Sequence, residues 1–171
     1  MIRLVVIFGV AFGLLLGASP QCPTTVAPNP PFVPPFPYRA DPNPRSGFLY
    51  GNASLWTRIP IPTEWRVPAC CPPYGVKLAY RRVGFDMRKE HPELTVVARR
   101  LDVVTPLVWA GHAVGVSVPG DDYRYHHDSL SLMSMMTGID LPTIGCWEIA
   151  ARYKEPTGDF QTLSYVVLVK P

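Results

Sequence analysis

Hydrophobic positions are arranged in two ways along the chain. Leu4 to Leu16 is an apolar run broken only by glycines, whereas beyond Ser46 apolar residues recur mostly at every second position. In Gly145–Tyr153, Trp147, Ile149, Ala151 and Tyr153 fall on one face at period two, with Glu148 and Arg152 on the other. Leu163–Val169 is the most β-prone run of the chain. Thr137–Tyr153 therefore predicts a turn, a strand and a loop, answered by a second strand at Leu163–Val169. Upstream, Val76–Val83 alternates with Val76, Leu78 and Tyr80 inward, and Glu93–Leu101 is another strand. Leu107–Val118 supplies one or two more, and Leu55–Thr57 follows a Gly51-Asn52 turn. The one helix candidate, Leu130–Met136, is interrupted by serines. Short strands without alternating helices predict an all-β fold, an immunoglobulin-like antiparallel β-sandwich spanning residues 46–171. Trp147 is its expected packing centre.

The apolar opening changes the compartment. Met1-Ile2-Arg3 is a short positive start, and Gly17-Ala18-Ser19 offers the small residues of a cleavage site, so residues 1–21 read as a signal peptide. A membrane anchor is the competing reading, but a span takes about 20 apolar residues, and no positive cluster follows. Cleavage near Ala18 or Ser19 releases a soluble exported protein, periplasmic, cell-surface or extracellular. The alternative makes Cys22 a lipidated first residue, the one expected route to a membrane, although Ser19-Pro20-Gln21 departs from the apolar-small-small pattern.

Proline sets the next boundary. Pro20 to Pro44 holds 10 of the 21 prolines, a density that excludes helix and central strand and favours extended polyproline II. Residues 22–45 form a Pro-rich spacer, read as a stalk or as a strip lying along the domain through Phe32, Phe36 and Tyr38. Prolines also make Ile59–Tyr74 a long irregular loop around Trp65, Cys70 and Cys71. Export permits disulfides, and the expected bridge joins Cys70 or Cys71 to Cys146. The other vicinal cysteine stays free or meets Cys22, since adjacent cysteines rarely pair.

Charge narrows the partners. Sixteen Lys and Arg against 13 Asp and Glu, with no basic stripe, argue against nucleic acid. A protein or cell-envelope partner is expected instead, with Trp65, Trp109 and Tyr123 as the aromatics to find exposed. Asn52-Ala53-Ser54 is formally a glycosylation triplet.

Candidate chemistry concentrates in Asp121–Asp128. His126, His127 and Asp128, with the thioethers Met133 and Met135 downstream, are ligands suited to zinc or copper. Adjacent imidazoles on an extended chain point apart, so metal binding is the alternative and no cofactor is the expectation. Gly115-Val116-Ser117-Val118-Pro119 fails the nucleophile-elbow pattern at its last position. Cys146 would need an activating histidine to act as a nucleophile. No catalytic residue is assigned; a diverged hydrolase is the remaining enzymatic alternative.

Several of these residues also form an ordered set. Gly51-Asn52 with Leu55-Trp56 comes first, then Leu94-Thr95-Val96 with Arg99-Arg100-Leu101-Asp102. Leu141-Pro142-Thr143 with Gly145-Cys146-Trp147-Glu148-Ile149 follows, before a valine-rich strand. In this order the chain resembles a family of small, uncharacterised bacterial exported proteins. It departs from their pattern at Tyr80, where they tend to carry tryptophan, and at Met133–Met136, where a Gly/Pro-containing approach is usual. The resemblance implies export and often lipoprotein-like anchoring, and it implies no reaction or ligand. The expectation is a non-catalytic, exported envelope module for binding or structure.

Overall fold

The computed structural model describes residues 21–36, 38, 47–86, 89–91, 93–104, 106, 108–117 and 134–171, the stretch 108–117 by its backbone. It is the expected antiparallel β-sandwich. Nine strands follow in chain order: β1 (Phe48–Asn52), β2 (Leu55–Ile59), β3 (Glu64–Arg66), β4 (Tyr74–Arg81), β5 (Leu94–Arg100), β6 (Val108–Ser117), β7 (Ser134–Leu141), β8 (Gly145–Lys154) and β9 (Phe160–Lys170). They hydrogen-bond in the order β1-β2-β4-β7-β6-β5-β8-β9-β3. All neighbours are antiparallel except β3, which runs parallel to β9.

This single ribbon becomes two layers because β6 belongs to both. Its first half pairs with β5, and its second half, Ala113–Ser117, pairs with β7. Each pairing contains a register shift, at Val96/Val97 and at Ala113/Gly115. Such bulges bend a strand and raise its twist, and Gly111 and Gly115 suit a strand that turns a corner. One layer is therefore β1-β2-β4-β7 and the other β5-β8-β9-β3.

The period-two faces meet between the layers. Leu78 and Tyr80 of β4 and Met135, Ile139 and Leu141 of β7 face Val96 and Ala98 of β5, Trp147, Ile149, Ala151 and Tyr153 of β8, and Tyr165 and Val167 of β9. Buried polar tips find partners, as burial requires. The Tyr80 and Tyr165 hydroxyls lie 3.0 Å apart across the layers, and burial pushes both phenols well above their ordinary pKa. The Trp147 indole N–H donates to the Thr143 carbonyl at 3.0 Å.

Two elements differ from the expected pattern. Thr137–Asp140 is not a turn: it lies in β7, together with Ser134–Met136, where the serines argue against a helix. The inward set of β7 is Met135, Thr137, Ile139 and Leu141, a period-two series in which a threonine takes an apolar place. The loop after Ile59 contains β3, and its Trp65 packs in the core rather than at the surface.

β2 and β8 each bury one residue on the outward face as well, Trp56 and Cys146, which the second layer cannot cover. Trp56 lies outside the main core cluster yet is only 1% exposed. The N-terminal segment covers it: Phe32 lies 6.0 Å from its ring and Tyr38 4.9 Å, edge-on. The Tyr38 hydroxyl donates to the Arg82 carbonyl at 2.8 Å. On the other layer Cys146, opposite Trp147, is bonded to Cys22. Between these points the Thr25 N–H donates to the Val166 carbonyl, the Val166 N–H donates to Thr25 Oγ1, and the Thr63 hydroxyl donates to the Thr25 carbonyl. Residues 22–36 and 38 thus form a strap across both layers. The expected bridge from Cys70 or Cys71 to Cys146 does not form, because Cys22 occupies Cys146 and both loop cysteines are free and exposed. A Cys22 sulfur in that bond is equally closed to a thioether lipid.

Two outcomes follow. Peptide mapping of the unreduced protein is expected to recover Cys22 joined to Cys146. Cys22→Ser should cost about 2–5 kcal/mol, the usual range for losing a native bridge, read as a lower urea midpoint. Tyr38→Ala is expected to cost about 2–4 kcal/mol by opening the cover over Trp56, with a red shift of tryptophan emission in the folded state.

Candidate functional site

The positions of the candidate ligands come first. His126, His127, Asp128 and Met133 lie outside the described residues, as do Tyr123 and the Trp109 side chain. Met135 is fully buried in the core, where its sulfur packs rather than coordinates. Among the described residues no three His, Cys, Asp or Glu side chains converge on one point.

Three bonded clusters of charged side chains stand out among the described residues. At one end, Arg82 Nε donates to the Tyr153 hydroxyl at 2.9 Å, its Nη2 pairs with Glu90 Oε1, and Tyr153 donates to Glu90 Oε2 at 2.9 Å. The guanidinium also lies over the Phe85 and Tyr153 rings. Burial opposes ionisation of Glu90, but hydrogen bonds from Arg82 and Tyr153 outweigh it and hold the carboxyl below its ordinary pKa. Burial, reinforced by the bond to Glu90, pushes the Tyr153 phenol up to about 12.

The second cluster centres on Arg100 and Asp102. Arg100 grips Asp102 through Nε at 2.6 Å and Nη2 at 3.1 Å, and donates from Nη1 to Thr143 Oγ1 at 2.9 Å. The Cys146 N–H donates to Asp102 Oδ2 at 3.4 Å. These bonds, Arg100's foremost, hold the Asp102 carboxyl below its usual range. Gly145 sits under this grip at φ +139°, where a Cβ would lie 2.7 Å from Arg100 Nε. The cluster thus closes the β5–β8 end beside the disulfide. In the third cluster Glu148 accepts from Arg99 at 2.6 Å and from the Ser164 hydroxyl at 2.9 Å.

Ser164 leads to the concave surface. A groove of about 620 Å3 is lined by Pro28–Val33 of the strap, Tyr50–Asn52 of β1 and Thr162–Ser164 of β9. β1 pairs only with β2, so it forms one edge of the ribbon. β9 pairs with β8 from Phe160 to Val169, but β3 covers its other side only at Leu168–Lys170, and Thr25 only at Val166. Backbone groups alternate sides along a strand. The N–H and C=O of Val166 point to the strap, so those of Ser164 and Thr162 point the same way, into the groove. Among the described residues no backbone group pairs with them there. Tyr50 supports the opposite wall, its ring 6.5 Å from buried Tyr165. Of the lining residues, Val33 is 68% exposed. The expected recognition aromatics did not point here, because an open strand edge leaves no mark in side-chain composition.

The Glu90 cluster makes a pH prediction. The unfolded carboxyl titrates near 4.5 and the folded one lower, so its stabilisation is complete above that value and is lost as pH falls through the folded pKa. Glu90→Gln is expected to lower stability at pH 7 and to flatten the decline between about pH 5 and 3. Chemical denaturation at each pH measures both.

No protein-family model, curated protein or solved structure matches this chain.

Proposed function

We propose that this protein is a non-catalytic module of the exported cell envelope that binds an extended segment of a partner protein as an added strand on β9. The observation that carries the reading is the open edge at Thr162 and Ser164, facing a groove between the strap and β1. Strand addition draws affinity from main-chain hydrogen bonds and specificity from pockets for alternate side chains. Here the edge supplies the bonds, while Tyr50, Phe32 and the prolines supply an apolar wall. Export is supported by the Cys22–Cys146 bond, which an oxidising compartment maintains. A non-catalytic role is supported by the three charged clusters, whose acids and bases are spent on one another.

The test starts from peptides selected against the oxidised full domain from a displayed library. Binding is expected to slow amide exchange at Thr162 and Ser164. Thr162→Pro deletes one N–H on the open side and leaves the β8–β9 ladder intact, because edge strands tolerate proline there. It should weaken the selected peptides by roughly tenfold or more, the worth of about one to two hydrogen bonds, at unchanged melting temperature. Equal binding by this variant, or exchange protection elsewhere, would remove the groove from the reading.

A further inference from the structure

The strap runs antiparallel to β9. Cys22 is bonded to Cys146, whose register partner on β9 is Leu168. Thr25 exchanges hydrogen bonds with Val166, and Pro28 and Pro30 stand in the groove wall with Thr162–Ser164. Pairing stops at Thr25, although the strap continues in the same direction. An antiparallel ladder extended from Thr25–Val166 sets Ala27 against Ser164 and Asn29 against Thr162. Ala27 and Asn29 both carry an N–H, and both are exposed. Pro28 and Pro30 fall at the alternate positions, whose missing N–H would point away from β9, where an edge strand tolerates proline. Pro31 falls opposite Phe160, at a position that needs an N–H, and ends the series. The side chains agree with this register, because opposed residues share a face. Val26 and Pro28 would meet buried Tyr165 and Leu163, and Ala27 and Asn29 would meet exposed Ser164 and Thr162. With the strap lifted, Val26 is 76% exposed.

We propose that strap residues 26–29 are a built-in lid for the β9 edge, closing onto it as an added strand and opening to admit a partner segment. Closure adds the pairs Ala27–Ser164 and Asn29–Thr162. It also moves Val26 from water to the apolar side of the groove, where Tyr50 stands by Tyr165. The entropic cost is confined to a short segment, because the Cys22–Cys146 bond and the Thr25 contacts already hold the strap beside β9. The closed form presents Pro28 and Pro30 on its new outer edge and so offers a poor template for a further strand. A partner segment that pairs with Ser164 and Thr162 must first displace Ala27 and Asn29. Its apparent affinity is therefore reduced to the fraction of chains that are open. This regulatory consequence rests on the strand-addition reading above, whereas closure itself does not.

Closure is measured first without any peptide. In a Cys70→Ser/Cys71→Ser chain, Ala27→Cys with Ser164→Cys puts thiols on directly opposed residues, whose Cα atoms in a closed ladder lie about 5.5 Å apart, within disulfide range. Peptide mapping after mild oxidation is expected to recover this bridge, and not the off-register one from Ala27→Cys with Thr162→Cys. Ala27→Pro deletes the N–H given to the Ser164 carbonyl and should raise the open-to-closed ratio by roughly tenfold, the worth of one to two hydrogen bonds. Amide exchange at Ser164 is then expected to quicken, and peptides selected for the groove should bind more tightly by the same factor. Ala27, Thr162 and Ser164 are exposed, so these variants should fold as the parent does. Absence of the 27–164 bridge, equal bridging of both pairs, or Ser164 exchange unmoved by Ala27→Pro would overturn closure. Quickened exchange at unchanged peptide affinity would overturn the lid's control of binding. If no library peptide binds, the strand-addition reading fails, while the bridge and the exchange rates still decide closure.

Discussion

Two strands that each bury a side chain on the outer face as well dictate the shape of this molecule. β2 and β8 each present one face to the sandwich interior and also bury one residue of the outer face. Trp56 and Cys146 mark those outer faces. A two-layer sandwich has no third sheet to offer, and the strap takes that place. Proline suits such a cover, because it needs no ladder partner for its missing N–H and loses little conformational freedom when fixed. The strap is then held by a few points of different chemistry, a covalent bond at Cys22, backbone bonds at Thr25 and aromatic contact at Phe32 and Tyr38. The groove is a by-product of that arrangement, since the strap leaves β9 uncovered between its attachments.

The interior follows a related logic. Large aromatics fill the space between layers, and several carry a polar tip into it. Tyr80 and Tyr165 satisfy each other at the centre, whereas Tyr153 reaches the rim and joins Arg82 and Glu90. The same residue type is thus neutral packing in one place and part of an ion-pair cluster in another. Position in the fold decides which, because Tyr153 near the end of β8 lies within reach of the charged turn after Gly84.

The sandwich is legible in the sequence because β4, β5, β8 and β9 alternate cleanly. β7 is obscured by Ser134, Thr137 and Gly138, which interrupt the apolar series although the strand is regular. β3 is hidden for another reason: its three residues stand among prolines and owe their pairing to β9, distant in sequence and invisible to local pattern. The strap is the least legible element. Its contacts at Cys22, Thr25, Phe32 and Tyr38 follow no period, so composition alone suggests a spacer and leads to the wrong partner for Cys146. The open β9 edge has no sequence signal at all, because it depends on where β3 and the strap stop.

The distance between Cys22 and Cys146, 124 residues along the chain, bears on how the molecule is made. Synthesis delivers Cys22 first and its partner only after every strand through β7 has appeared. The tie can therefore close only on a nearly complete chain, and premature pairing could involve Cys70 or Cys71 but not the correct sulfur. Contacts this remote slow the search for the native arrangement. The high proline content of the waiting segment keeps it from joining a sheet prematurely. The cysteine that leads the domain is the one fastened late, and its closure records that the rest has been assembled.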